Sequence, residues 1–134
     1  MLRPDDRSDA RERALYLLYE AHSKGIEPAD TIDLQVIEPD QLTKDLVLGV
    51  GRLMPRLDGH IGDRAKGWTL ARMPVLDLNV MRLGVFELLE RPDVPTAVVL
   101  NEAVELAKRF STDDSGRFVN GVLASVAADV RDDA

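Results

Sequence analysis

The stretch TAVVLNEAVELAKRF, residues 96–110, constrains the fold more than any other part of the chain. Leu100, Ala103, Leu106, Ala107 and Phe110 recur at intervals of three and four, while Asn101, Glu102, Glu105, Lys108 and Arg109 fill the positions between. That is the period of a helix with one buried stripe, not of a strand. A helix of this kind must lay its stripe against other elements. Its basic residues gather at the carboxyl end, where the helix dipole favours cations. Ahead of it, Arg91-Pro92-Asp93-Val94-Pro95 forms a rigid connector. Each proline disfavours helix at the residue before it, and Pro95 suits the first position of the helix that follows.

The same period recurs along the chain, and no window sustains alternation of period two. The spacing predicts a first helix over residues 7–24, with Ala14, Leu17, Leu18 and Ala21 inward and Gly25 ending it in a left-handed conformation. A connector with a short helix starting at Pro28 follows. A second long helix starts at Pro39-Asp40, and Pro55 kinks or restarts it. Residues 68–73 form a short helical turn, and a strong helix runs from Pro74 or Val75 to Glu90. Asp113, Asp114 and Ser115 cap a last helix that extends to about Val130 and leaves a frayed acidic tail. The sum is an all-α, compact bundle of six to seven helices.

Asn120-Gly121 ordinarily marks a hairpin turn. Here it falls among Phe118, Val119, Val122, Leu123 and Val126, which have helical spacing. Glycine inside a helix costs about 1 kcal/mol relative to alanine. Close approach of a neighbouring helix is the expected offset. For Phe118, burial and an exposed stacking role are equally consistent with the pattern.

Composition narrows the function. The 134 residues suit one domain with a real core, and the absence of cysteine excludes disulfides, cysteine-ligated zinc and a thiol nucleophile. No segment has signal-peptide character or membrane-spanning length, so a cytoplasmic protein with no membrane association is expected. The net charge of −7 argues against holding nucleic acid by bulk electrostatics alone. Charge is uneven, however: Arg3, Arg7, Arg11, Arg13 and Lys24 balance the acids of the first 24 residues. Catalysis needs a convergent set of reactive groups. The histidines are His22 and His60 alone, no metal-ligand spacing or phosphate-binding glycine loop occurs, and Glu102 with Glu105 reads as a solvated stripe. No catalytic residue, metal site or cofactor is expected. Trp68 is expected to anchor packed helices, and Arg82, amid VMRLGVF, to be buried and paired.

The run GWTLARMPVLDLNVMRLGVFELLERPDVPTAVVLNEAVELAKRFSTDDSGRFVNGVL, preceded by ARERALYLLYE, resembles the NusB-type transcription antitermination factors. RLGVFELL, DVP, NEAVELAK and FVNGVL in this order and spacing carry the resemblance, which extends over essentially the whole chain. It implies two packed helical subdomains, residues 1–66 and 67–134, forming a single RNA-binding domain. It also implies a function: with the small ribosomal-subunit protein NusE, such a factor binds boxA-type single-stranded RNA in nascent ribosomal RNA leader transcripts. Other Nus factors and RNA polymerase join through that assembly. Arg7, Arg11 and Arg13 correspond to the family's RNA-contacting arginine segment, here interrupted by Ser8 and Asp9. Asp114, Ser115 and Phe118 correspond to the rest of the RNA surface. Tyr19, Asp77 and Phe110 correspond to the NusE surface, and some family members pair as homodimers through that face. The amino-terminal guanidinium groups and the Phe118 ring are expected to converge on one ledge. Two other readings remain open at this point. One is a stand-alone relative of the RNA-binding domain of ribosomal RNA cytosine methyltransferases; the other is a protein-only helical adaptor.

Overall fold

The structure, a computed structural model, describes residues 4–65 and 67–133; Arg3, counted above among the amino-terminal charges, lies outside them. The chain folds as α1 (Pro4–Lys24), α2 (Pro28–Asp33), α3 (Gln41–Arg64), a 3-10 turn (Leu70–Arg72), α4 (Val75–Glu90), α5 (Thr96–Phe110) and α6 (Asp113–Val130). The all-α expectation holds, with no strand among the described residues.

α4 is the centre of the molecule. Leu78, Val80, Met81, Leu83, Val85, Phe86 and Leu88 are all buried, so the helix is apolar around its circumference. Such a helix needs neighbours on every side. It packs against α1, α3, α5 and α6. One continuous core results, running from Leu15 and Leu18 of α1 through Val47 and Val50 of α3 to Leu123 and Val126 of α6.

Close helix approach occurs at glycines other than the one expected. A Cβ added at Gly84 would lie 2.6 Å from Leu123 Cδ1, and one at Gly49 would lie 2.2 Å from Phe86 Cε1. Gly121 is exposed and has nothing within 4 Å of an added Cβ. The tight contact expected there belongs to Gly84, on the helix that α6 packs against.

The ends of the helices follow local chemistry with some shifts. Gly25 ends α1 at φ 65°, as expected. The Asp40 carboxylate accepts from the Thr43 N–H at 2.8 Å and caps α3. Pro55 lies within α3, which runs through it without a restart. Pro95 precedes the first residue of α5 instead of occupying it. The cap of α6 is Thr112, whose Oγ1 accepts from the Ser115 N–H at 3.1 Å, so Asp113 and Asp114 lie in its first turn.

Of the acidic tail expected to fray, residues 131–133 are held in place and Ala134 lies outside the described residues. Arg131 donates to the carbonyl oxygens of Glu87, Leu88, Arg91 and Val94 at 2.8–3.1 Å. Glu87 and Leu88 lie in the last turn of α4, Arg91 caps it and Val94 belongs to the connector to α5; carbonyls at a helix end run short of intrahelical donors. Asp133 then accepts from the Thr96 hydroxyl at 2.6 Å. Arg131 therefore locks α6 to the ends of α4 and α5.

Candidate nucleic-acid interface

The loop between α5 and α6 opens onto a cavity of about 280 Å³. Trp68, Met73, Pro74 and Phe118 supply its largely apolar walls, and Thr112 and Asp114 stand at its exposed edge. Asp77, from the first turn of α4, and Ser115 are buried at its base. The Trp68 and Phe118 ring centroids are 6.4 Å apart and the rings are tilted by 52°. Trp68 is 52% exposed, more a wall of this cavity than an anchor between helices. Phe118 is half-buried: its ring rests on the core while part of it faces the cavity. This geometry leaves the two sequence-level alternatives for Phe118 compatible with each other.

Ser115 and Asp77 do not face solvent as expected. The Ser115 hydroxyl lies 2.9 Å from Thr112 Oγ1 and 3.0 Å from Ser111 Oγ, and it donates to Asp77 Oδ2 at 2.9 Å. Asp77 is 3% exposed, because the first turn of α4 is covered by the start of α6. A flat protein surface does not reach it. Asp114 is fully on the surface, paired with Arg117.

A second surface lies along α1 and α5. Tyr16 and Tyr19 are about half exposed. Tyr16 packs edge-on against Phe110 with centroids 5.4 Å apart, and Arg109 sits over the Phe110 ring at 5.0 Å. Arg109 also pairs with Glu12 of α1 at 2.8 Å. The connector after α2 runs beside this face, since Gln35 donates to Glu20 at 3.2 Å and Arg13 donates to the Ile37 carbonyl. It presents Val36 and Ile37 to solvent. Exposed apolar and aromatic groups gathered in this way mark interaction surfaces. Tyr19 and Phe110 thus share a face, and Tyr16 belongs with them. The ALYLLYE pattern held the signal for Tyr16, because it falls off the stripe formed by Ala14, Leu17 and Leu18.

The arginine segment divides by environment. Arg7 is exposed and has no ion pair or hydrogen bond among the described residues. Arg13 is occupied by the Ile37 carbonyl. Arg11 is 3% exposed, and its Nε and one terminal nitrogen donate to Glu87 at 2.8 and 2.9 Å. Its other terminal nitrogen lies 3.4 Å from Glu102, which also accepts from the Ser8 hydroxyl at 2.6 Å. Burial opposes the Arg11 charge, but the Glu87 hydrogen bonds and the charges of Glu87 and Glu102 outweigh it and raise its pKa. Expected as an RNA contact, Arg11 is instead a buried strut that holds the start of α1 on α4 and α5. Glu102, read as part of a solvated stripe, is one of its anchors. Arg82 is paired as expected, donating to Asp58 at 2.7 and 3.0 Å.

Ser8 bonds to Glu102, Glu12 pairs with Arg109, and Tyr16 packs on Phe110, so α1 and α5 run side by side in one direction. From Ser8 to Tyr16 a helix rises about 12 Å, at about 1.5 Å per residue. Arg7 therefore lies at one end of this seam and the Phe118 cavity beyond the other. The single compact ledge is replaced by a track whose two ends carry a free guanidinium and an aromatic cavity. Among the described residues no cluster of His, Asp or Glu suits a metal ion, and no helix is long and apolar enough to cross a membrane.

Comparison with known proteins gives this geometry a context. A family model described as the NusB family matches residues 8–128. Transcription antitermination protein NusB of Saccharopolyspora erythraea is 49% identical over 127 residues, covering 90% of this chain and 86% of that protein. Among solved structures, T. maritima NusB aligns with a TM-score of 0.84 at 28% identity, covering 96% of this chain and 93% of that one. A crystal structure of the antitermination factors NusB and NusE in complex with double-stranded RNA aligns with a TM-score of 0.79 at 26% identity, covering 92% of this chain and 96% of the matched chain.

Proposed function

The chain belongs to the NusB family, a family of transcription factors and not of enzymes, and from that premise we propose that it binds RNA jointly with a NusE-type ribosomal protein to promote antitermination. The RNA is a boxA-type single strand in ribosomal RNA leader transcripts, and other Nus factors and RNA polymerase enter through the assembly. The observation that carries the single-strand reading is the partly exposed Phe118 ring in the wall of an apolar cavity. A ring of this kind stacks on an unpaired base, which a duplex does not offer. Arg7, free at the other end of the α1–α5 seam, supplies a phosphate contact. The Tyr16–Tyr19–Phe110 face takes the protein partner, with Val36 and Ile37 extending it.

The charge of the chain fits this division of labour. At a net −7 the protein repels a polyanion overall, and a basic partner bound beside it supplies the missing positive field. Labelled single- and double-stranded RNAs of one sequence, titrated into the protein with and without a NusE-type partner, test the reading. Preference for the single strand, strong only with the partner and with a steeper salt dependence, is the expected result. Equal affinity with and without the partner, or preference for the duplex, contradicts it.

A further inference from the structure

Arg13 lies where two surfaces meet. Along α1 it follows Arg7 by six residues, a rise of about 9 Å, and precedes Tyr16 by three. One terminal nitrogen of its guanidinium donates to the Ile37 carbonyl, and no other hydrogen bond or ion pair engages it among the described residues. Arginine carries five N–H donors in a planar fork, so most of the fork stays open to an incoming acceptor.

The Ile37 carbonyl belongs to a connector with little apolar support. None of residues 34–38 is buried, and Leu34, Val36 and Ile37 are exposed. Polar contacts hold the segment instead: Gln35 donates to the Thr31 carbonyl at 2.8 Å and to Glu20 at 3.2 Å, and Glu38 pairs with Lys44. Surface contacts of this kind are individually weak, and a segment with few buried apolar contacts opens locally at little cost. The carbonyl therefore fixes Arg13 only as firmly as the connector itself is fixed. A protein partner that covers Val36 and Ile37 takes their apolar surface out of water and stiffens the connector. An RNA phosphate arriving afterwards meets a guanidinium already held in place, and less side-chain freedom is lost on binding.

We propose that Arg13 and the connector of residues 34–38 couple the two ligands: the protein partner, by covering Val36 and Ile37, fixes the Ile37 carbonyl, and that carbonyl holds the Arg13 guanidinium ready for an RNA phosphate. The inference rests on the joint binding of RNA and a NusE-type partner described above and says how one ligand strengthens the other. Coupling between binding sites is reciprocal, so RNA must strengthen partner binding by the same factor.

The test titrates labelled single-stranded RNA into the full chain, alone and with the NusE-type partner at saturation. The ratio of the two affinities is the coupling factor. Arg13→Ala should lower that factor about fivefold, the lower end for coupled sites, and change partner-free RNA affinity by less than about twofold. Alanine favours helix, so α1 is kept. Partner affinity without RNA should stay the same. In the connector variant Val36→Ser with Ile37→Ser, saturated with more partner, Arg13→Ala should have no further effect.

If the unaltered protein binds no RNA, or binds it equally with and without the partner, the joint-binding function falls and this inference with it. With coupling present, an equal loss for Arg13→Ala in both states makes Arg13 a plain phosphate contact and overturns the proposal. No loss in either state removes Arg13 from the RNA. Weaker partner binding in the absence of RNA makes it a partner contact. A loss that persists undiminished in the connector variant means that Arg13 does not act through Ile37. Each of these results contradicts the coupling and leaves joint binding standing.

Discussion

Replacing Arg11 with alanine should destabilise the fold strongly while leaving RNA affinity of the folded protein nearly unchanged. In the native structure Glu87 is 2% exposed and receives two Arg11 bonds at 2.8 and 2.9 Å. Without Arg11, its remaining ion-pair partner is Arg91 at 3.3 Å. Removing one member of a buried ion pair costs about 3–5 kcal/mol, and the contact to Arg91 puts this case near the lower end, about 3 kcal/mol. For a domain of this size that corresponds to a fall in Tm of about 10 °C. Urea unfolding measures the change, provided the slope with denaturant stays the same in both proteins. The double variant Arg11→Met with Glu87→Leu removes both charges and keeps the volume, so it should recover most of the loss. RNA affinity, read at a temperature where the single variant is folded, should change by less than about threefold, an effect below about 0.7 kcal/mol. Near-normal stability combined with a tenfold or larger loss of RNA affinity would refute the reasoning and return the guanidinium to the RNA.

Three other substitutions probe separate parts of the structure. Gly84→Ala should destabilise by about 1–3 kcal/mol, because its methyl meets the fully buried Leu123, whereas Gly121→Ala should stabilise by about 1 kcal/mol in an open helix position. Thermal melts that rank these two variants in the opposite order would contradict the packing described. Phe118→Ala should weaken RNA binding by about 1–3 kcal/mol, measured well below its own Tm; unchanged affinity would exclude base stacking there. His60 is held below the ordinary histidine pKa by burial and then by Arg64 and Arg56, with Asp63 acting in the opposite sense. As pH falls the unfolded chain takes up this proton first, so stability declines from about pH 6.5 down to the folded-state pKa. His60→Gln should flatten that decline in urea unfolding curves, and a parallel pH profile would assign the titration to another group.

Helix periodicity made most of the fold legible, since Leu100, Ala103, Leu106 and Ala107 can share one face only in a helix. What the sequence concealed were contacts between distant positions. The family resemblance placed Arg11 in an RNA-contacting segment, but Arg11 meets Glu87 from the last turn of α4, and no local pattern encodes that pairing. Asp77 has the same character: a first-turn acid is normally exposed, and only the docking of α6 buries it. Gly121 was misjudged for the converse reason, because its cost to the helix is local and nothing nearby offsets it. Phe118, Tyr19 and Phe110 were named through the family resemblance, and the structure leaves all three at least partly exposed. The cavity that joins Phe118 to Trp68 and Asp77 required the tertiary structure, since its walls come from three separated segments.

The central claim is that an unpaired base enters the cavity beside Phe118. The chain has a single tryptophan, and it is the opposite wall of that cavity. The most direct measurement is therefore the indole N–H resonance of Trp68 in nitrogen-15-labelled protein bound to an unlabelled NusE-type partner, followed as single-stranded RNA is added. The account predicts a large shift that saturates with the binding isotherm and is abolished by Phe118→Ala. RNA binding that leaves the Trp68 resonance unmoved would contradict it.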